Sequence, residues 1–259
     1  MEGTYYKEWS RALGREMEFK VYGAAGVPVL AFPCRGGRFY DWENNGMPEA
    51  AGWLIEHGRV QLFCADSIDY DGLLAAGLAP RRRAEMQEKY FHYITGELVP
   101  RIRELNAAGR AAAGAARSKA PGIWAAGADL GAYHAVNCRL RRPDLFCGAI
   151  GLSGMYDVSG WLGGPEDDLA LRNDPFAALS AGLLDSAALA ALNGGQFILC
   201  AGQGRDAAEP AALASTQALD AALKAAGIPV SAEVWGSDVT HDWHWWARAF
   251  DVFTNRLFS

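Results

Sequence analysis

Short apolar runs recur along the chain at the length of buried β-strands. Continuous runs of this length are typical of strands that are covered on both faces of a sheet. An alternation of apolar and polar residues instead predicts a half-exposed strand. The alternating segment is 17–22, and the more continuous ones are VPVLAF (27–32), VQLFC (60–64), IWAA (123–126), GAIGLS (148–153), FILCA (197–201) and VSAEVW (230–235). The pattern therefore predicts at least seven strands.

Helical patterns lie between most of these strands, at 47–58, 81–105, 132–140, 211–226 and 241–257. Pro100 predicts a break or kink near Val99, because proline lacks an N–H group and its ring clashes with the preceding turn. The Ala-rich stretch 107–122 is predicted to be a loop or frayed helix end, and 155–195 is an insertion large enough for only a small cap. Strands that alternate with helices predict an α/β fold with a mostly parallel central sheet and helices on both faces, formed by a single domain over 1–259.

Composition narrows the classes of partner. With 51% hydrophobic residues and 21% charged residues the chain can bury a large core, and its net charge of −6 disfavours binding to nucleic acid or to an anionic membrane. No apolar run reaches the length of a membrane span, and the N-terminus lacks the apolar region of a signal peptide. Five scattered cysteines without a metal-like cluster favour reduced thiols in a cytoplasmic protein. We expect a small-molecule substrate or ligand and no metal or organic cofactor; the sequence leaves a homo-oligomer open.

The stretch PGIWAAGADLGAYHAVN (121–137) carries the most specific local pattern. An apolar strand, a tight turn of small residues and an Ala-rich helix form the context of a G-x-S-x-G nucleophile elbow. Such a turn raises one side chain above the edge of the sheet. Here the raised position is occupied by Asp129, and His134 on the following helix is expected to pack in the core.

Polar side chains follow several predicted strands, and in a parallel sheet such loops meet at one edge. Four such loops carry groups suited to catalysis: Cys34–Arg38, Ala128–Leu130, Gly204–Glu209 and Ser237–Asp242. The segment Asp66–Asp71 is a further loop at a strand end, distinguished only by its acidic residues. Three of the four supply a nucleophile position, an acid and a histidine in the chain order of an α/β-hydrolase triad. His241 is the candidate proton shuttle. Asp206 is preferred as the acid that orients it, followed by Glu209 and then Asp242, although such an acid could instead cap the helix that begins near residue 210.

Two roles are open for Asp129. In the first, its carboxylate attacks a substrate carbon, and water activated by His241 hydrolyses the resulting ester. In the second, the carboxylate is only stabilised by backbone N–H groups at a helix N-terminus. Ordinary serine-esterase chemistry is disfavoured, because a carboxylate would repel the oxyanion that forms during acyl transfer. Ser153 follows a neighbouring strand but lacks the elbow pattern.

Four segments in this order resemble a known family: FPCRGGRFYDWENNGM, GADLGAYHAVN with RRPDLF, GLSGMYD, and WGSDVTHDWHWW. Together they are similar to the Putative esterase family of α/β-hydrolases, which includes esterases related to S-formylglutathione hydrolase and the mycolyltransferases. The resemblance covers nearly the whole chain. It implies an α/β-hydrolase fold, a nucleophile at position 129, a histidine at His241, an acid near 204–209, and oxyanion donors at the backbone N–H groups near Arg35 and at Leu130. Family members usually carry serine where this chain has Asp129.

Three hypotheses follow for the function. The first is a hydrolase-like protein that acts, or descends from one that acted, on small carboxylic esters. The second is a catalytically inactive esterase homologue that keeps the pocket as a binding or interaction module. The third is hydrolysis at an alkyl carbon through an Asp129 adduct, which resembles the chemistry of haloalkane dehalogenases and epoxide hydrolases.

Overall fold

A computed structural model describes residues 1–114, 122–164 and 166–259. Its centre is an eight-stranded sheet with the order β1-β2-β4-β3-β5-β6-β7-β8. β2 is antiparallel to β1 and β4, and all other neighbours are parallel. The strands are β1 Thr4–Ser10, β2 Arg15–Tyr22, β3 Val27–Phe32, β4 Val60–Ala65, β5 Ile123–Ala128, β6 Phe146–Leu152, β7 Gln196–Ala201 and β8 Val230–Val234. The predicted mostly parallel sheet is confirmed.

Helices cover both faces of this sheet. They are α1 Asp41–Asn44, α2 Met47–Ala50, α3 Gly52–Glu56, α4 Pro80–Tyr93, α5 Val99–Ala112, α6 Leu130–Arg141, α7 Ser159–Leu162, α8 Asp168–Asn173, α9 Pro175–Ser180, α10 Ser186–Asn193, α11 Glu209–Ala225 and α12 Trp243–Phe258. Alternate strand residues face opposite ways, so Ile198 packs with α12 and the α1–α3 segment, whereas Phe197 packs with α6 and α11. The insertion 155–195 contains the four short helices α7 to α10. Of the predicted connection at 107–122, residues 107–112 belong to α5 and 115–121 lie outside the described residues.

The predicted break near Val99 takes the form of a π-helical turn, Ile94–Leu98, between α4 and α5. Pro100 occupies the first turn of α5, where its missing N–H group matters least. The wider π turn that precedes it relieves the crowding that the proline ring would cause in a regular α-helix. The helix therefore continues past the proline with changed geometry.

Some boundaries differ from the sequence prediction. β1 was not predicted, because nearly all its side chains are exposed and its sequence TYYKEWS lacks the alternation of a half-buried strand. The predicted helix at 47–58 is two short helices, α2 and α3. The last helix begins at Trp243, because the side chain of Asp242 accepts hydrogen bonds from the N–H groups of His244 and Trp245 and so caps it. His241 consequently lies in the loop before α12.

Two glycines allow α6 to approach the sheet closely. A Cβ atom on Gly131 would lie 2.2 Å from the carbonyl oxygen of Pro33, and one on Gly127 would lie 2.1 Å from the carbonyl oxygen of Gly131. Any side chain at either position would push α6 away from the ends of β3 and β5. The close approach brings the first residues of α6 beside the loop Cys34–Arg38.

Candidate active site

Asp129 sits at the sharp turn between β5 and α6. Its backbone has φ 53° and ψ −120°, a conformation that favours glycine and costs about 1–3 kcal/mol for other residues. The turn is held on both sides, because the Asp129 N–H donates to the Leu152 oxygen at 3.0 Å and the Asp129 oxygen accepts from the Met155 N–H at 3.2 Å. The predicted elbow geometry is present at this residue.

The carboxylate of Asp129 is surrounded by donors. Its Oδ2 atom accepts from the Arg35 backbone N–H at 3.3 Å, and its Oδ1 atom lies 3.2 Å from Nη2 of the Arg35 guanidinium. The backbone N–H of Leu130 also hydrogen bonds to it. The two N–H groups expected to stabilise an oxyanion therefore both contact the Asp129 carboxylate. Burial alone would raise the pKa of Asp129, but hydrogen bonding to His241 and the charges of Arg35 and His241 outweigh it and lower that pKa.

His241 lies between two carboxylates. Its Nε2 atom is 3.7 Å from Oδ1 of Asp129, and its Nδ1 atom is 3.0 Å from Oε2 of Glu209. Burial opposes the imidazolium, yet the hydrogen bonds and charges of Asp129 and Glu209 outweigh it and raise the pKa of His241 from 6.5 to about 9. At neutral pH the ring is therefore protonated and the Asp129 carboxyl group is ionised.

Glu209, not the preferred Asp206, contacts the imidazole ring. Glu209 has no exposed surface, and its Oε1 atom accepts from the Ser153 hydroxyl at 2.9 Å and from the Gly202 N–H. Asp206 instead uses Oδ1 to hold the first turn of α11 and Oδ2 to accept the backbone N–H of His241 at 2.9 Å. The order of preference between the two acids is thus reversed. Ser153 lies behind the acid and not at an elbow.

We predict that the Asp129→Asn substitution lowers the pKa of His241 from about 9 towards 6.5, because it removes one of the two carboxylates that stabilise the imidazolium. A pH titration of the His241 ring signals by NMR measures this change. Asp238→Asn is the matched control, since Asp238 is exposed in the same loop. An unchanged His241 pKa in Asp129→Asn would contradict the contact.

The same pKa values give a pH dependence of stability. A raised pKa means that the stabilisation from His241 is complete below pH 6.5 and is lost as the pH rises through about 9. The lowered pKa of Asp129 means that its contribution is present above 3.8 and is lost as the pH falls through the lowered value. The parent protein should therefore lose stability between pH 6.5 and 9, and Asp129→Asn should lose less over that interval.

Three residues of the loop after β4, a loop that the sequence marks only as acidic, hold the loop 34–38. Oδ2 of Asp69 accepts the Gly36 N–H at 3.0 Å, Oδ1 of Asp66 accepts from Nε of Arg38 at 2.6 Å, and the Ser67 hydroxyl donates to the Gly37 oxygen at 2.8 Å. Asp69 also accepts from His134, with 2.9 Å between Oδ1 and Nε2. The expected packing of His134 is observed, and its partner could not be named from the sequence.

The family is established by comparison with known sequences. The model of the family described as Putative esterase matches residues 10–257. The chain belongs to the Putative esterase family. No curated protein matches the esterase-family chain. Among its described residues, no group of three or more His, Cys, Asp and Glu side chains could hold a metal ion. Within 1–114, 122–164 and 166–259, no helix is both long and apolar enough to span a bilayer.

Solved structures confirm the α/β-hydrolase fold of the esterase-family chain. A ferulic acid esterase is 16% identical, with a TM-score of 0.71 and 99% of both chains covered. MPT51 from Mycobacterium tuberculosis is also 16% identical, with a TM-score of 0.71 over 100% of this chain and 98% of that one. An S-formylglutathione hydrolase from Agrobacterium tumefaciens is 14% identical, with a TM-score of 0.68 over 98% and 93% of the two chains. At these identities the likeness extends to the fold alone.

Proposed function

We propose that this esterase-family protein is a hydrolase that works through a covalent ester on Asp129, with His241 as general base and Glu209 as the acid that orients it. The observation that carries the proposal is the placement of the two Asp129 oxygens. Oδ2 contacts the Arg35 backbone N–H, while Oδ1 lies 3.7 Å from His241 Nε2. One oxygen is held by an anion-binding group and the other faces the base, as a carboxylate nucleophile requires.

In the first step Oδ1 of Asp129 attacks an sp³ carbon of the substrate. A bond forms between Oδ1 and that carbon, and the bond to the leaving group breaks with its electron pair. Ester formation removes the negative charge from Asp129. Since that charge helps to raise the pKa of His241, the imidazolium then releases its proton to solvent and becomes a base.

In the second step water attacks the Asp129 carboxyl carbon and gives a proton to Nε2 of His241. The charge develops on Oδ2, which the Arg35 backbone N–H stabilises. Collapse expels the alcohol, which takes the proton from His241, and the free Asp129 carboxyl group returns its own proton to His241. Water and substrate are converted to an alcohol and the protonated or anionic leaving group, and the site is restored.

One observation favours a second candidate, an inactive esterase homologue that binds a ligand. The Arg35 guanidinium lies 3.2 Å from Oδ1, and the pKa of Asp129 is lowered, so the carboxylate is a weaker nucleophile than a free one. In this candidate the Asp129 carboxylate fills the anion-binding position permanently. The two candidates differ in whether a covalent bond to Asp129 forms.

Intact-protein mass spectrometry tests the proposal with a panel of small alkyl esters, alkyl halides and epoxides. We expect an adduct that maps to Asp129 and accumulates in His241→Ala, because that variant forms the ester but hydrolyses it slowly. Asp129→Asn should form no adduct. Turnover in ¹⁸O-labelled water should place label in the Asp129 carboxylate. The absence of adduct, label and turnover across the panel would refute the hydrolase proposal and favour the binding module.

A further inference from the structure

Arg35 has free hydrogen-bonding capacity beside Asp129. Its side chain is 41% exposed, and among residues 1–114, 122–164 and 166–259 it forms one ion pair, the contact from Nη2 to Oδ1 of Asp129. Within the part of the chain that the structure describes, Nε and Nη1 of Arg35 have no hydrogen-bond partner. The half-exposed guanidinium therefore has unused donors beside Oδ1 of Asp129, the atom that a substrate would approach.

The insertion reaches this side chain. The Arg35 guanidinium carbon lies 5.8 Å from the centre of the Trp161 ring, on α7. An aromatic face at this distance attracts a guanidinium without using its N–H donors. Trp161 can thus support Arg35 while its fork of N–H groups binds something else, such as an oxyanion, which guanidinium groups bind through two parallel hydrogen bonds.

Arg38, three residues further along the same loop, has a guanidinium group that is more tightly held. Its Nε atom lies 2.6 Å from Asp66 and its Nη2 atom lies 2.7 Å from Glu18, so two carboxylates fix it. The contact between Arg35 and Asp129 is longer, at 3.2 Å, and involves one nitrogen. Of these two arginines, Arg35 is the one that can exchange its partner.

Charge balance indicates what that partner is. When Oδ1 of Asp129 bonds to carbon, its negative charge passes to the leaving group, and Arg35 loses the anion that neutralised it. We propose that Arg35 then binds the leaving group as an oxyanion, so that the site takes alkyl esters of carboxylic, sulfuric or phosphoric acids. The transfer of the alkyl group to Asp129 rests on the proposed function. The binding of another anion by Arg35 does not depend on it.

The step balances without a further reactant. The bond between the alkyl carbon and the ester oxygen breaks, the electron pair stays on that oxygen, and the acid departs as a carboxylate, sulfate or phosphate monoester anion. The alkyl group remains on Oδ1 of Asp129 and leaves as an alcohol after hydrolysis. Neither oxidant nor reductant is needed, and the net charge of the site is unchanged through the transfer.

Binding of sulfate and acetate tests the exchange separately from catalysis. In Asp129→Asn, Arg35 loses its charged partner, so we expect this variant to bind sulfate about tenfold or more tighter than the parent does, measured by calorimetry. Adding Arg35→Gln should abolish the gain. Adding Arg205→Gln is the matched control, because Arg205 is an exposed arginine in the neighbouring loop 204–209. Circular dichroism establishes that each variant is folded.

Turnover tests the leaving group. Arg35→Gln should lower the hydrolysis of an alkyl sulfate or carboxylate ester about tenfold or more relative to an alkyl bromide, and Arg205→Gln should not. The inference is overturned if sulfate binding to Asp129→Asn is no tighter than to the parent, or if Arg35→Gln and Arg205→Gln weaken it equally. If sulfate binding depends on Arg35 but no alkyl ester or bromide is hydrolysed, anion recognition by Arg35 is supported and the aspartyl-ester chemistry is rejected.

Discussion

The Asp129→Ser variant should hydrolyse p-nitrophenyl acetate at least about 100-fold faster than the parent protein, because general base catalysis alone contributes about 10²–10⁴-fold. A serine hydroxyl at the elbow would face Nε2 of His241, whose ring is already held by Glu209 at 3.0 Å. Removal of the carboxylate also frees the backbone N–H groups of Arg35 and Leu130 for an acyl oxyanion. Steady-state release of p-nitrophenolate measures the gain.

Two further variants separate a restored triad from a merely vacated site. Asp129→Ala frees the same N–H groups but supplies no nucleophile, so it should remain near the rate of the parent. Adding His241→Ala to Asp129→Ser should remove most of the gain. If Asp129→Ser is no faster than Asp129→Ala, the remaining groups do not form a working esterase site.

The Glu209→Gln substitution should lower the turnover of Asp129→Ser by about 10²–10⁴-fold, since replacing the acid of a Ser–His–Asp triad by its amide costs about 10⁴ in kcat. Glu209 is fully buried and accepts from three groups: Ser153, Gly202 and the His241 ring. An amide has one acceptor oxygen, so it cannot satisfy both the ring and the two donors behind it. The pH profile of kcat should shift as well, because the imidazolium loses one stabilising carboxylate.

Asp206→Asn is the matched control in the same background. Of the groups in the described part of the chain, Asp206 accepts only the backbone N–H groups of Ala208, Glu209 and His241, and the asparagine oxygen can still accept part of them. We expect a smaller loss of kcat than in Glu209→Gln and little change in its pH profile. Equal losses in the two variants, or a larger loss in Asp206→Asn, would contradict the assignment of Glu209.

The sequence predicted the parallel part of the fold well, because buried parallel strands such as Val27–Phe32 leave continuous apolar runs. It did not predict β1, whose stability comes from pairing with β2 along its whole length and not from burial of one face. The division of 47–58 into α2 and α3 was also missed. Local turns of that kind depend on packing against the sheet, which periodicity does not report.

Within the site, strand-end loops and chain order predicted the positions of Asp129 and His241 relative to each other. They did not distinguish Asp206 from Glu209, because two acids three residues apart in one loop can both reach the same edge of the sheet. The decision came from the start of α11, which directs Asp206 to backbone N–H groups and Glu209 into the core. Asp69 hydrogen bonds to both His134 and Gly36 and so joins three segments that are distant in the sequence. The sequence indicated this contact only by the acidic residues of the loop that contains Asp69.

The bend at residue 129 also has an evolutionary consequence. A φ of 53° and a ψ of −120° at residue 129 cost about 1–3 kcal/mol of backbone strain that a glycine, which has no Cβ atom, would avoid. The codons for aspartate and glycine differ by one base, so a chain without this strain is a single mutation away at all times. Glycine would also lose the hydrogen bonds between the carboxylate and Arg35 and the contact with His241, so retention of aspartate requires that these contacts, or the chemistry that they support, outweigh the strain.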